Sequence, residues 1–98
     1  MAEKPLYLQP LEAKAEQFVL QTIVDYFHQE LRAIITTDEA RRMMPFVRKK
    51  MSQLSHNNIK NRMHIREAIS HVLTIRGFKG ISRIPTAEEV TVLENEEQ

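Results

Sequence analysis

The sequence contains no cysteine and only two glycines, Gly77 and Gly80. Without cysteine, disulfides, thiolate metal sites and a cysteine nucleophile are excluded. Two glycines are too few for the glycine-rich loops that cradle phosphates in nucleotide-binding proteins. Serine, histidine and aspartate form no recognisable catalytic motif. The sequence therefore predicts a protein that is not an enzyme and has no cofactor and no small-molecule substrate.

Long apolar runs are also absent. No stretch approaches the roughly 20 apolar residues that span a bilayer, and the first residues lack the charged-then-apolar order of a signal peptide. We therefore expect a soluble cytoplasmic protein without a membrane partner. The 98 residues are the size of one domain, whose modest core is commonly supplemented by dimerisation.

Acidic residues are nearly missing from the middle of the chain. Residues 41–83 hold eleven of the 14 Lys and Arg residues and one acid, Glu67, which gives this stretch a formal charge of +10. Residues 1–40 carry −4 and residues 84–98 carry −5, so the net charge of +1 hides a basic centre between acidic ends. Such asymmetry indicates an anionic partner.

A helical repeat of apolar residues dominates the first third of the chain. Its members are three or four positions apart: Leu20, Val24, Phe27, Leu31 and Ile34. This spacing predicts an amphipathic helix over residues 10–35, with Pro10 in its first turn. Because the spacing is close to a heptad seam and the core is small, we predict that these five residues form a homodimer interface.

A second helix is predicted over residues 37–54. Thr36 and Glu39 have the spacing of a capping box, in which each side chain bonds the other residue's backbone amide. Pro45 lies inside the helix and removes one ladder hydrogen bond, so we expect a kink there or a division near Met44.

The third helix is predicted over residues 58–76, capped by Asn57 or Asn58 and ended by Gly77. A further capping-box spacing precedes a short fourth helix over 87–93, and residues 95–98 are expected to be disordered. The predicted fold is all-α: a three-helix up-down-up bundle over 10–84, a lead-in over 1–9, and an acidic tail over 85–98 that includes the short helix.

The cations of the second helix are predicted to form a basic ridge. Since each residue turns a helix by about 100°, Arg41, Arg42, Arg48 and Lys49 project from one stripe, opposite the apolar face. A line of positive charge without neighbouring acids is typical of phosphate binding. We therefore predict a nucleic-acid-binding regulatory protein whose contacts are Arg41, Arg42, Arg48, Lys49, Lys60, Arg62 and Arg66.

An acidic protein is the alternative partner. A protein-binding adaptor would use the same basic surface together with exposed methionines, because Met suits adaptable interfaces. The methionines considered are Met43, Met44, Met51 and Met63. A third interpretation is an assembly subunit whose acidic and basic regions join copies head to tail. The sequence does not choose between DNA, RNA and protein.

Two further patterns are weaker indications of function. Two helices joined by a polar turn match the outline of a helix-turn-helix, but this turn lacks glycine. His64, Glu67 and His71 lie on one face of the third helix at spacings typical of metal ligands. Because sequence alone identifies no fourth ligand or supporting partner, we interpret them as a polar outer face and predict no metal site.

Overall fold

The computed structural model describes residues 5–56, 58–75 and 84–96, and its regular structure is entirely helical. A 3₁₀ helix, Leu6–Leu8, precedes four α-helices: α1 (Ala13–Leu31), α2 (Thr37–Gln53), α3 (Arg62–Ile75) and α4 (Ala87–Glu96). Helices α1, α2 and α3 pack against one another, and the 3₁₀ helix and α4 both pack on α2. The predicted all-α bundle is confirmed.

One hydrophobic core joins α1, α2 and α3. The largest side chains with almost no exposed surface come from all three helices: Leu20, Ile23, Phe27, Met43, Val47, Ile65 and Ile69. Burying one such side chain contributes about 1.5–3 kcal/mol relative to leaving it in water. Helix α2 lies at the centre of the molecule, because every other helix packs against it.

Helix α1 is shorter at both ends than residues 10–35. At its start, the N-cap Glu12 has a non-helical backbone (φ −58°, ψ 146°), so Pro10 lies outside the helix. At its end, Arg32 is left-handed (φ 54°), and the amides of Arg32 and Ala33 both donate to the carbonyl of Phe27. As a result Ile34 lies in the connection to α2 and does not continue the helical face.

Helix α2 begins with the predicted capping box. The Glu39 amide donates to Thr36 Oγ1 (3.1 Å), and the Thr36 amide donates to Glu39 Oε1 (2.8 Å). The predicted division near Met44 is wrong, because a single helix runs through Pro45. Met43 and Val47, on either side of the proline, are both buried, so packing on one core holds the two halves together despite the missing hydrogen bond.

Helix α3 begins four residues later than predicted, and its cap is a different asparagine. The side chain of Asn61 accepts a hydrogen bond from the His64 amide (3.2 Å), which is N-cap geometry. Asn58 bonds the Lys60 amide (2.9 Å) and so forms a turn before the helix. Asn57 and the predicted helix end at Gly77 lie outside the described residues.

Helix α4 also has its predicted capping box, with Thr86 and Glu89 bonding each other's amides at 3.2 and 3.1 Å. It extends to Glu96, past the predicted end at residue 93, and Leu93 is buried. The expected disorder of residues 95 and 96 is therefore wrong, and residues 97–98 lie outside the described part. None of the described helices has both the length and the apolar character needed to cross a membrane.

Candidate interaction surfaces

Arg48 of α2 binds the N-terminal lead-in. Its two terminal nitrogens donate to the backbone carbonyls of Leu6 (2.8 Å) and Gln9 (2.7 Å). Desolvation lowers the pKa of this half-buried guanidinium, which still remains charged at neutral pH. The planar guanidinium can donate to two separate acceptors at once, and Arg48 therefore fixes the 3₁₀ helix against α2.

Arg42 makes a similar contact with the other end of the chain. Its Nε donates to the carbonyl of Pro85 at 2.8 Å, and Pro85 is buried. Because Pro85 directly precedes the Thr86 cap, this bond fixes the start of α4 on α2. Two of the four predicted ridge cations thus hold chain segments that cover α2.

Arg41 and Lys49 complete the predicted ridge. Arg41 lies 3.6 Å from Glu16 and 3.5 Å from Asp38, and half of its side chain is exposed. Lys49 is half-buried. All four predicted ridge cations lie outside the core. The lead-in and α4 pack over the same side of α2, which the sequence does not indicate.

The arginines at the start of α3 contact α1. Arg66 donates to Glu30 (2.8 Å) and Gln29 (3.2 Å), and its guanidinium lies 5.1 Å from the centre of the Tyr26 ring. Arg62 lies 5.7 Å from the centre of the Phe18 ring but stays exposed. Cation–π contacts of this kind stabilise modestly at exposed sites.

An exposed methionine follows two exposed cations at the start of α3. Met63 is 78% exposed, whereas Met43 and Met51 are buried and Met44 is half-buried. Lys60 and Arg62, its neighbours in sequence, are also exposed. We call Lys60, Arg62 and Met63 the Met63 patch. Among the four methionines of the predicted surface, Met63 alone is exposed.

The five residues of the predicted dimer seam do not form a continuous exposed surface. Leu20 and Phe27 are 2% and 0% exposed inside the monomer core, and Val24 and Leu31 are half-buried. Only Ile34, in the connection, is widely exposed (89%). The heptad-like spacing therefore reflects packing of α1 on α2 and α3, which leaves Leu20 and Phe27 no surface for a second copy.

Histidines gather around Glu67 in a way that the sequence spacing did not predict. His56, from the turn after α2, lies 2.8 Å from Glu67 and stacks on His64, with ring centres 4.0 Å apart and planes at 9°. The hydrogen bond from His56 lowers the pKa of Glu67, and nearby His71 and His64 act in the same direction. His56 is eleven residues from Glu67, so no helical periodicity could have identified the pair.

This cluster is not a metal site in the arrangement observed. Two parallel imidazoles 4.0 Å apart cannot both direct a ring-nitrogen lone pair, which lies in the ring plane, at one ion. Within the described residues no group of His, Asp and Glu side chains is arranged to hold a metal. The buried Nδ1 of His64 has no hydrogen-bond partner among the described residues.

Comparison with known protein families, characterised proteins and solved structures finds no match.

Proposed function

We propose that this protein is a non-enzymatic, protein-binding adaptor or regulator and that the Met63 patch docks an acidic protein surface. The observation that carries the proposal is the 78% exposure of Met63 beside two exposed cations. An unbranched thioether adapts its shape to a partner at low cost, which is why methionine is frequent at binding surfaces.

The charge of the patch defines the partner. Lys60 and Arg62 precede Met63, and the backbone amides at the start of α3 add the positive end of a helix dipole. A carboxylate opposite these groups increases the association rate and selects the register, while contact with Met63 buries apolar surface. The partner should therefore present an apolar side chain flanked by Asp or Glu.

A photo-crosslinking amino acid at position 63 of the full chain tests this proposal in cells. The expected product is a crosslink to a protein, with the attached peptide rich in Asp or Glu. The product should disappear when Lys60→Glu and Arg62→Glu are added. The matched control carries the same crosslinker at Ala13, which is exposed at the start of α1.

Three results would contradict the proposal. The first is capture of the same proteins from position 13 as from position 63. The crosslinks could survive reversal of both charges, which would show that the cations do not select the partner. The product at position 63 could be nucleic acid alone.

A second candidate function is nucleic-acid binding, and the geometry of Arg41 favours it. Its two carboxylate contacts are long, at 3.5 and 3.6 Å, and half-exposed. Surface ion pairs of this kind contribute only about 0–1 kcal/mol, so a phosphate can replace them. Arg41→Glu combined with Lys60→Glu should abolish binding if this candidate is correct, whereas unchanged binding would exclude it.

A further inference from the structure

Helix α4 exposes an apolar side chain between two carboxylates. Glu88, Val92 and Glu96 are four residues apart, so they line one side of the helix at spacings of about 6 Å. All three are exposed, Val92 to 53%. Within the described residues, neither Glu88 nor Glu96 forms an ion pair. We call these three residues the α4 ridge.

An open groove runs beside the α4 ridge. Its volume is about 340 Å³, and it lies between α4 and the half-buried Phe46 of α2. Its apolar lining is Phe46, Val92 and Leu93, and its acidic lining is Glu88, Glu89 and Glu96. An apolar side chain that enters this groove from a partner would thus meet both hydrocarbon and carboxylates.

The Met63 patch has the reverse arrangement, with an exposed apolar side chain beside two cations. One chain therefore carries two exposed surfaces of complementary charge, each with an apolar side chain to bury. We propose that the acidic partner of the Met63 patch is the α4 ridge of a second copy. This inference rests on the proposed function, because it assigns a partner to the same patch.

The contact is heterologous, since α3 of one copy meets α4 of the next. Each added copy leaves one patch and one ridge free, so assembly proceeds head to tail unless the rotation closes a ring. Met63 enters the groove beside Val92 and Phe46 and supplies the apolar contact. The opposed charges fix the register, as charge pairs do at interfaces. Because each surface is small, assembly requires high protein concentration.

Sedimentation equilibrium of the full chain, from micromolar to millimolar concentration at low salt, tests the inference. Wild-type protein should show a mass that rises with concentration. The variant Lys60→Glu/Arg62→Glu and the variant Glu88→Lys/Glu96→Lys should each self-associate roughly 100-fold more weakly, because like charges then face each other. Lys14→Glu, which reverses an exposed charge on α1 that belongs to neither surface, should associate as the wild type does.

The decisive sample is an equimolar mixture of the two double variants, because reversed charges then oppose each other again. The mass should rise as it does for the wild type. If the two variants remain monomeric when mixed, the inference is overturned. This conclusion requires that the helical circular dichroism and the thermal unfolding of both variants match those of the wild type. A variant that misfolds is replaced by Met63→Ser, which should also weaken association.

Wild-type protein that stays monomeric at millimolar concentration would also overturn the inference. That result would leave the proposed function standing if position 63 still crosslinks to a different protein in a charge-dependent way. If position 63 captures no protein at all, both proposals fail.

Discussion

At the residue scale, the arginines of α2 and α3 bind groups within their own chain. Arg48 bonds two carbonyls of the lead-in, Arg42 bonds the carbonyl of Pro85, and Arg66 bonds Gln29 and Glu30. Five donors on a planar group allow one arginine to satisfy several backbone acceptors that would otherwise lose water. These three arginines of the central stretch therefore contribute to stability.

Arg48→Ala should lower the free energy of unfolding by about 1–2 kcal/mol, because two charge-assisted hydrogen bonds are lost at a half-exposed site. Arg48→Lys should recover only part of this loss, since an ammonium cannot bridge both carbonyls. Urea denaturation measures the change. Arg41→Ala is the control and should change stability by less than about 0.5 kcal/mol, because its ion pairs are exposed. Equal effects of the two alanine variants would contradict the assignment.

Glu67 should titrate below the usual range of a glutamate. The hydrogen bond from His56 favours the charged carboxylate and so lowers its pKa. Its contribution to stability is thus complete above the usual glutamate pKa and disappears as the pH falls through the lowered value. Carboxyl NMR of the wild type and of His56→Ala measures the shift, and the alanine variant should return the midpoint towards normal. An unchanged midpoint would show that the contact is absent in solution.

The positions of these side chains could be predicted, but their partners could not. Helical geometry alone placed Arg42 and Arg48 outside the core. Their acceptors are 43 and 39–42 residues away in sequence, and a single sequence gives no signal for such long-range contacts. For the same reason, the pairing of His56 with Glu67 was missed.

At the element scale, two helices end in a left-handed residue that is not glycine. Arg32 follows α1 with a φ of 54°, and Ser55 follows α2 with a φ of 61°. After α2, the amide of His56 bonds the carbonyl of Met51 and the amide of Ser55 bonds that of Ser52, which is the Schellman pattern. The left-handed conformation of an L-residue lowers the stability of the fold by roughly 1–2 kcal/mol relative to glycine at the same position.

Arg32→Gly and Ser55→Gly should therefore each stabilise the protein. The gain should be about 0.5–1 kcal/mol, because glycine relieves the left-handed strain but also makes the unfolded chain more flexible. Thermal unfolding measures it. Ser52→Gly, within the last turn of α2, is the matched control and should destabilise. Destabilisation by all three substitutions would show that the two helix ends are not left-handed.

At this scale, features that depend on residues close in sequence could be predicted, and features that depend on tertiary packing could not. Both capping boxes were predicted because each lies within four residues, Thr36 to Glu39 and Thr86 to Glu89. For Pro45 the sequence left two alternatives open, a kinked helix or a division near Met44. The choice depends on packing of α2 in the core, and the single helix Thr37–Gln53 excludes the division.

At the scale of the whole molecule, α2 is surrounded by all the other elements. Helices α1 and α3 cover its apolar side, and the 3₁₀ helix and α4 pack over its basic side. The Met63 patch and the α4 ridge each combine an exposed apolar side chain with two exposed groups of like charge. This arrangement moves the expected binding surface from α2 to the start of α3.

The α1 seam should act as core in solution. Phe27→Ala should lower the free energy of unfolding by about 3–5 kcal/mol, because it removes a fully buried ring and leaves a cavity. Ile34→Ser should change it by less than about 0.5 kcal/mol, since Ile34 is 89% exposed. Chemical denaturation gives both values. Dissociation of a stable dimer by Phe27→Ala, without loss of monomer stability, would restore the seam as an interface.

The central claim is that Arg42 and Arg48 of α2 bind backbone carbonyls of their own chain, so we expect no continuous phosphate-binding ridge on α2. Fluorescence anisotropy with a DNA duplex and its single strand, from about 50 to 200 mM salt, tests it most directly. We predict weak binding that falls by about tenfold, because only about two phosphate contacts remain available. Tight binding that falls by about 10³ to 10⁵ would require 6–10 phosphate contacts and would contradict the claim.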